Sequence, residues 1–137
     1  MTSLSHNQFL DKYLRTSPDY DGVMGVQCVD GAKQYVKDVY DISLGSFGGT
    51  AYTWLNKKKT FDPKIWEKIE WKPMVPKQGD IIFYDKPLTG HVAIVHEANK
   101  IDIIVLELNG TVGDRYNAFN LETRKDYKDV LWYRLKK

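Results

Sequence analysis

His91-Val92-Ala93-Ile94-Val95-His96-Glu97-Ala98-Asn99-Lys100-Ile101-Asp102-Ile103-Ile104-Val105-Leu106-Glu107-Leu108-Asn109 decides the fold. Two runs rich in β-branched residues are separated only by Ala98-Asn99-Lys100. They read as strands over 91–97 and 101–108 joined by a tight hairpin, because so short a connection joins only antiparallel neighbours. Upstream, Gln78-Gly79-Asp80-Ile81-Ile82-Phe83-Tyr84 predicts another strand over 80–84, set off from the hairpin by Lys86-Pro87-Leu88-Thr89-Gly90. Downstream, 130–135 reads as a further strand.

Before residue 79 the apolar period is helical. Ser5 can cap a first helix bearing Phe9, Leu10, Tyr13 and Leu14 at helical spacing, and Ser17-Pro18-Asp19-Tyr20-Asp21-Gly22 ends it with turn chemistry. A second helix opens near Cys28, with Val29, Ala32, Val36, Val39 and Tyr40 on its apolar side. Lys33, Lys37 and Asp38 are placed mostly on the outer side. A short helix is expected over 50–56 (Tyr52, Trp54 and Leu55 apolar), then an irregular stretch to Lys77. Helices first and consecutive antiparallel strands afterwards predict an α+β fold of one domain over 1–137.

Composition narrows the function. With 137 residues, 42% hydrophobic and 13% aromatic, the chain suits one globular core. Twenty basic residues against eighteen acidic ones give +2, which does not suggest a nucleic-acid binder. Lys57, Lys58 and Lys59 read as solvated surface, and Arg134, Lys136 and Lys137 as a solvated terminal tail. No apolar stretch is long enough for membrane insertion, and 1–14 carries no secretory signal pattern.

A single cysteine excludes an internal disulfide. A lone cysteine is ordinarily a small buried hydrophobe. Cys28, however, stands at a helix start, where free backbone N–H groups and the helix dipole favour a thiolate and point donors at an oxyanion beside it. Strand alternation puts His91, Ala93 and Val95 on one face and Val92, Ile94 and His96 on the other. The two histidines therefore do not serve one site. That alternation and the lack of a His-Glu-x-x-His motif argue against zinc. His6 is expected to be exposed on the first helix. Glu107 and Asn109 project on one side, and either can accept the second ring N–H of His91. The plain alternative is that both face solvent.

Gly25-Val26-Gln27-Cys28-Val29-Asp30, Gln78-Gly79-Asp80-Ile81, Gly90-His91-Val92-Ala93-Ile94-Val95 and Glu107-Leu108-Asn109 together resemble CHAP domains. These are the cysteine, histidine-dependent amidohydrolases/peptidases of bacteriophage endolysins and bacterial wall hydrolases. The resemblance implies a papain-like fold with N-terminal helices packed on an antiparallel sheet. It implies Cys28 as nucleophile, His91 as base and then acid, Glu107 as the residue orienting the imidazole, and Asn109 assisting. Gln27 would complete the oxyanion hole with the Cys28 N–H. Bacterial peptidoglycan is the implied partner, with a separate wall-binding domain or subunit for targeting. The implied place of synthesis is the host cytoplasm, with action at the cell wall.

Calcium is also expected. Asp19, Asp21 and Asp30 occupy the first, third and last positions of a twelve-residue window, with Val23 and Gly25 able to offer carbonyls. By pattern alone this is a weak match to an EF-hand loop, since Met24 stands where that loop needs glycine, and a solvated polar turn reads as well. Several CHAP domains resembling this one bind calcium at these positions. Two other functions remain compatible with the residues. A non-catalytic wall- or glycan-binding module would use Tyr52, Trp54, Trp66 and Trp71 for sugar stacking, and a transglutaminase-like acyltransferase would use the same triad.

Overall fold

The structure is a computed structural model and describes residues 3–16, 28–44, 61–70, 75–84, 91–99, 101–107, 120–125 and 130–136. Helix α1 (His6–Tyr13) opens on a capping box. The Gln8 N–H donates to Ser5 Oγ at 3.1 Å, and the Ser5 N–H donates to Gln8 Oε1 at 2.8 Å, so two of the free donors at the helix start are satisfied reciprocally. Helix α2 (Cys28–Tyr35) runs on into a π-helical turn, Val36–Tyr40, which ends at Asp41 in the left-handed region, φ 57°.

Six strands follow: β1 (Trp66–Glu70), β2 (Ile81–Tyr84), β3 (His91–Ala98), β4 (Asp102–Glu107), β5 (Asn120–Lys125) and β6 (Val130–Leu135). They form one sheet in the order β1-β6-β2-β3-β4-β5, with every neighbouring pair antiparallel. The β3–β4 hairpin is regular where Ile94 faces Leu106 and Val95 faces Val105, and a bulge at His96 then shifts the register so that Glu97 faces Ile104.

Both faces of the central strands are buried, which is why these strands are apolar at nearly every position. On one face Ile81, Phe83, Val92, Ile94 and Leu106 pack against Phe9, Ala32, Tyr35 and Val36 of the helices. On the other, Ile82, Ala93, Val95, Ile103, Val105 and Trp132 form a second cluster with Ile69. Each fully buried aliphatic or aromatic side chain stabilises the fold by roughly 1.5–3 kcal/mol, so these clusters pin the register. Slipping β3 by one residue would exchange its two buried sets. Phe61 stacks flat on Tyr133, ring centroids 4.1 Å apart, and meets the Trp66 edge at 5.2 Å, closing the core beside β1.

The α+β architecture agrees with the sequence reading, and four local expectations are corrected. His6 is buried at 8% exposure, because both its ring nitrogens find partners inside the protein. Lys33 is buried too, at 2%, and is engaged by the rest of the protein. The stretch before Lys77 contains β1. Arg134, expected in a solvated terminal tail, lies in β6 and is held by Asp80. The helix expected over 50–56 and the turn over 17–22 lie outside the described residues. Among the described residues, no helix is long and apolar enough to cross a membrane.

Candidate active site

Three chemistry-bearing positions fall on three elements that abut. Cys28 is the first residue of α2, and α2 packs on β3. His91 is the first residue of β3, opposite Tyr84 of β2. Glu107 is the last residue of β4, opposite Asn120 of β5. Because β3 and β4 are antiparallel and pair through Ile94–Leu106 and Val95–Val105, the start of β3 and the end of β4 lie at the same end of the sheet. Glu107 belongs to the alternation class of Ile103 and Val105, which share the second apolar cluster.

Glu107 is 1% exposed and engaged in a contact within the protein. The solvent-facing alternative for this residue is thereby overturned. A carboxylate so deep is costly to bury unless polar partners hold it, so its place at the end of a hydrophobic strand has a local purpose. Gln27, Asn109, Asp19, Asp21, Val23 and Gly25 lie outside the described residues, and Asp30 falls in the first turn of α2.

The other end of the same strands holds a polar network that sequence reading missed. His96 Nδ1 lies 2.9 Å from His6 Nε2, and His6 Nδ1 lies 2.7 Å from the Tyr35 hydroxyl. The Tyr35 hydroxyl meets that of Tyr40, which donates to the Gly79 carbonyl at 2.8 Å. The Gly79 N–H in turn donates to the Val95 carbonyl at 2.9 Å, next to His96. Burial pushes the Tyr40 hydroxyl up to about 12 and the Tyr35 hydroxyl higher still, with Asp80 adding to both shifts, so both stay neutral donors.

Beside them Asp80 accepts three hydrogen bonds from Arg134, from Nε at 3.0 and 3.2 Å and from Nη2 at 2.8 Å. This hydrogen bonding raises the Arg134 guanidinium further. A half-open pocket of about 580 Å³ lies here, lined in part by Tyr40, Glu67, Lys77, Gln78 and Arg134. It sits at the Ile81 end of β2, whereas His91 faces Tyr84 at the opposite end. Among the described residues, no group of three or more His, Cys, Asp or Glu side chains is gathered as for a metal ion.

Comparison with known proteins agrees with the family resemblance and the fold. The CHAP domain profile matches residues 17–109, a span that includes Cys28, His91 and Glu107 and ends on Asn109. The endolysin PlyTW of Staphylococcus phage Twort is 31% identical over 98 residues, covering 64% of this chain and 19% of that protein. This chain thus spans about a fifth of that relative's length. The crystal structure of the wild-type endolysin LysIME-EF1 superposes with a TM-score of 0.66 at 16% identity, over 93% of this chain and 60% of that one. At so low an identity the likeness speaks to the fold alone. With the profile matched across more than half its length and the same fold beneath it, this chain belongs to the CHAP-domain family.

Proposed function

We propose that this chain is a peptidoglycan hydrolase that cleaves an amide bond of the wall peptide with Cys28 as nucleophile. One observation carries the reading. Glu107, buried at the end of β4, lies at the same end of the sheet as His91, on the strand against which the Cys28 helix packs. In the proposed reaction the Cys28 thiolate attacks the amide carbonyl, and the tetrahedral oxyanion is met by the Cys28 N–H with help from Gln27. The His91 imidazolium protonates the leaving amine as the C–N bond breaks. Water, deprotonated by His91, then opens the thioester, releasing a carboxylate and restoring the thiol. Glu107 accepts the second ring N–H of His91 and steadies the imidazolium, with Asn109 assisting.

Calcium is part of the proposal. Asp19, Asp21 and Asp30 with the Val23 and Gly25 carbonyls make an all-oxygen donor set of the kind calcium prefers. Asp30 is two residues past Cys28, and an unneutralised carboxylate there would oppose formation of the thiolate. The bound ion supplies positive charge beside the nucleophile. The proposed place of action is the bacterial wall, after synthesis in the host cytoplasm, with targeting by a separate wall-binding domain or subunit.

The test is digestion of purified cell walls by the wild type and by Cys28→Ala and Cys28→Ser, with products read by mass spectrometry. The wild type is expected to release fragments whose new termini identify an endopeptidase or an N-acetylmuramoyl-L-alanine amidase. Both variants should release none while remaining folded by circular dichroism. Fragment release by either variant would remove Cys28 as nucleophile. Products extended by an added amine would make the chain an acyltransferase. Wall binding without fragments from the wild type would leave a glycan-binding module.

A further inference from the structure

We propose that the His6–His96 pair is an acid-sensitive latch, holding α1 on the sheet at neutral pH and letting it go when both rings are charged. The latch goes beyond the hydrolytic reading and does not depend on it.

The wiring fixes where the protons are. Tyr40 gives its hydroxyl proton to the Gly79 carbonyl, so in its contact with Tyr35 it accepts. Tyr35 therefore donates to Tyr40 and must itself accept from His6 Nδ1–H. That leaves His6 Nε2 as a lone pair, which His96 Nδ1–H fills at 2.9 Å. The chain runs one way, from His96 through His6, Tyr35 and Tyr40 to Gly79, and each group donates once. One extra proton is tolerated, because a charged His96 still donates through Nδ1. The second is not: with both rings charged, N–H would face N–H between two cations.

Nothing nearby among the described residues compensates for that second charge. Among the described residues, no carboxylate hydrogen-bonds either imidazole. Asp80, ahead of β2, is held by Arg134 of β6. Asp38 in the π turn takes hydrogen bonds from Gln34 and Tyr13. Lys33 on α2 carries the wrong sign, and Lys77 and Glu97 near the bulge are exposed. Burial first, and the His96 charge second, lower the His6 imidazole from 6.5 to about 4. A depressed histidine contributes stability above the unfolded value of 6.5 and loses it as pH falls toward 4.

The latch acts on one element. Besides the histidine, α1 is tied by the Leu4 N–H just ahead of it to the Asp38 carbonyl at 2.8 Å, by the Tyr13–Asp38 hydrogen bond and by Phe9, which packs on Tyr35. Release would bare the Phe9 side of the core while the β2–β3–β4 ladder stays paired.

Hydrogen exchange of the whole chain between pH 7 and pH 5, corrected for intrinsic rates, tests this. The opening constant of residues 6–13 should rise roughly twentyfold at pH 5, the factor that follows from values of 6.5 and about 4. Amides of β3 and β4 should keep their protection. His96→Asn is the decisive variant, since its amide can donate to neutral His6 or flip and accept from charged His6. In this variant the acid loosening of α1 should be weaker than in the wild type, with burial alone still lowering the ring. Equal acid loosening of α1 in wild type and His96→Asn would overturn the latch, as would loss of α1 only together with the sheet. If His96→Asn does not fold, NMR titration of the His6 ring in the wild type decides. A midpoint near 4 supports the latch, and one at or above 6.5 ends it.

Discussion

At the scale of single residues, the two histidines of β3 stand at opposite ends of one strand and are assigned different work. His96 is on the helix face, bonded to His6 at 2.9 Å. His91 opens the strand at the end where Glu107 is buried. Loss of a general base typically costs a hundredfold or more in rate. His91→Ala is therefore expected to slow wall-fragment release by at least about two orders of magnitude. His96→Asn, assayed at pH 7.5, should keep most of the wild-type rate. If the His96 variant were the inactive one, the assignment of roles along β3 would be reversed. His91 was legible in the sequence as the head of a strand, its role as base being what the resemblance of Gly90-His91-Val92-Ala93-Ile94-Val95 to CHAP domains implies. His6 was not. Its burial depends on Tyr35 and His96, 29 and 90 residues away, and no local pattern records such contacts.

Among the elements, the turn into β2 is closely packed. Gly79 adopts φ +90°, and a Cβ built there would collide with the Tyr40 hydroxyl that donates to the Gly79 carbonyl. Gly79→Ala therefore adds backbone strain to a broken hydrogen bond. Each typically costs 1–3 kcal/mol. A loss of about 2–4 kcal/mol is expected, read as a lower denaturant midpoint at unchanged m-value. The strands that sequence reading missed were hidden for physical reasons. In β1, Trp66 joins the helix-side cluster and Ile69 the opposite one. Their spacing of three is what two-sided burial produces, and it breaks the period-two signal. In β5, Asn120–Lys125, an edge position requires little burial, so the segment reads as polar loop. The strands of the central hairpin were legible because both their faces are apolar. The π turn after α2 was not, because it extends the same apolar side.

For the whole molecule, calcium is the test that reaches furthest. Asp19, Asp21 and Asp30 crowd three like charges into twelve residues, and the proposed calcium would offset their repulsion. A ligand that binds only the folded state stabilises it by about 2.7 kcal/mol at a hundredfold excess over its dissociation constant. Chelation should lower the melting temperature and added calcium restore it, with Asp21→Ala indifferent to both. Magnesium should substitute poorly, since it dehydrates reluctantly and demands octahedral geometry. Identical melting with and without chelator would reduce the aspartates to a polar turn.

The place of β6 in the sheet governs how the protein comes into being. Val130–Leu135 is the last strand in the chain, yet it lies between β1 and β2 and puts Trp132 into the buried far-side cluster. As the chain emerges from a ribosome, the β2–β3–β4 ladder can pair at once, whereas β1 has no neighbour until β6 arrives. Such distant pairing must close a long loop before any contact rewards it. Until then the nascent chain carries an open sheet edge and the unmatched apolar side of β1. The sheet thereby reaches its finished form only after translation has passed residue 135.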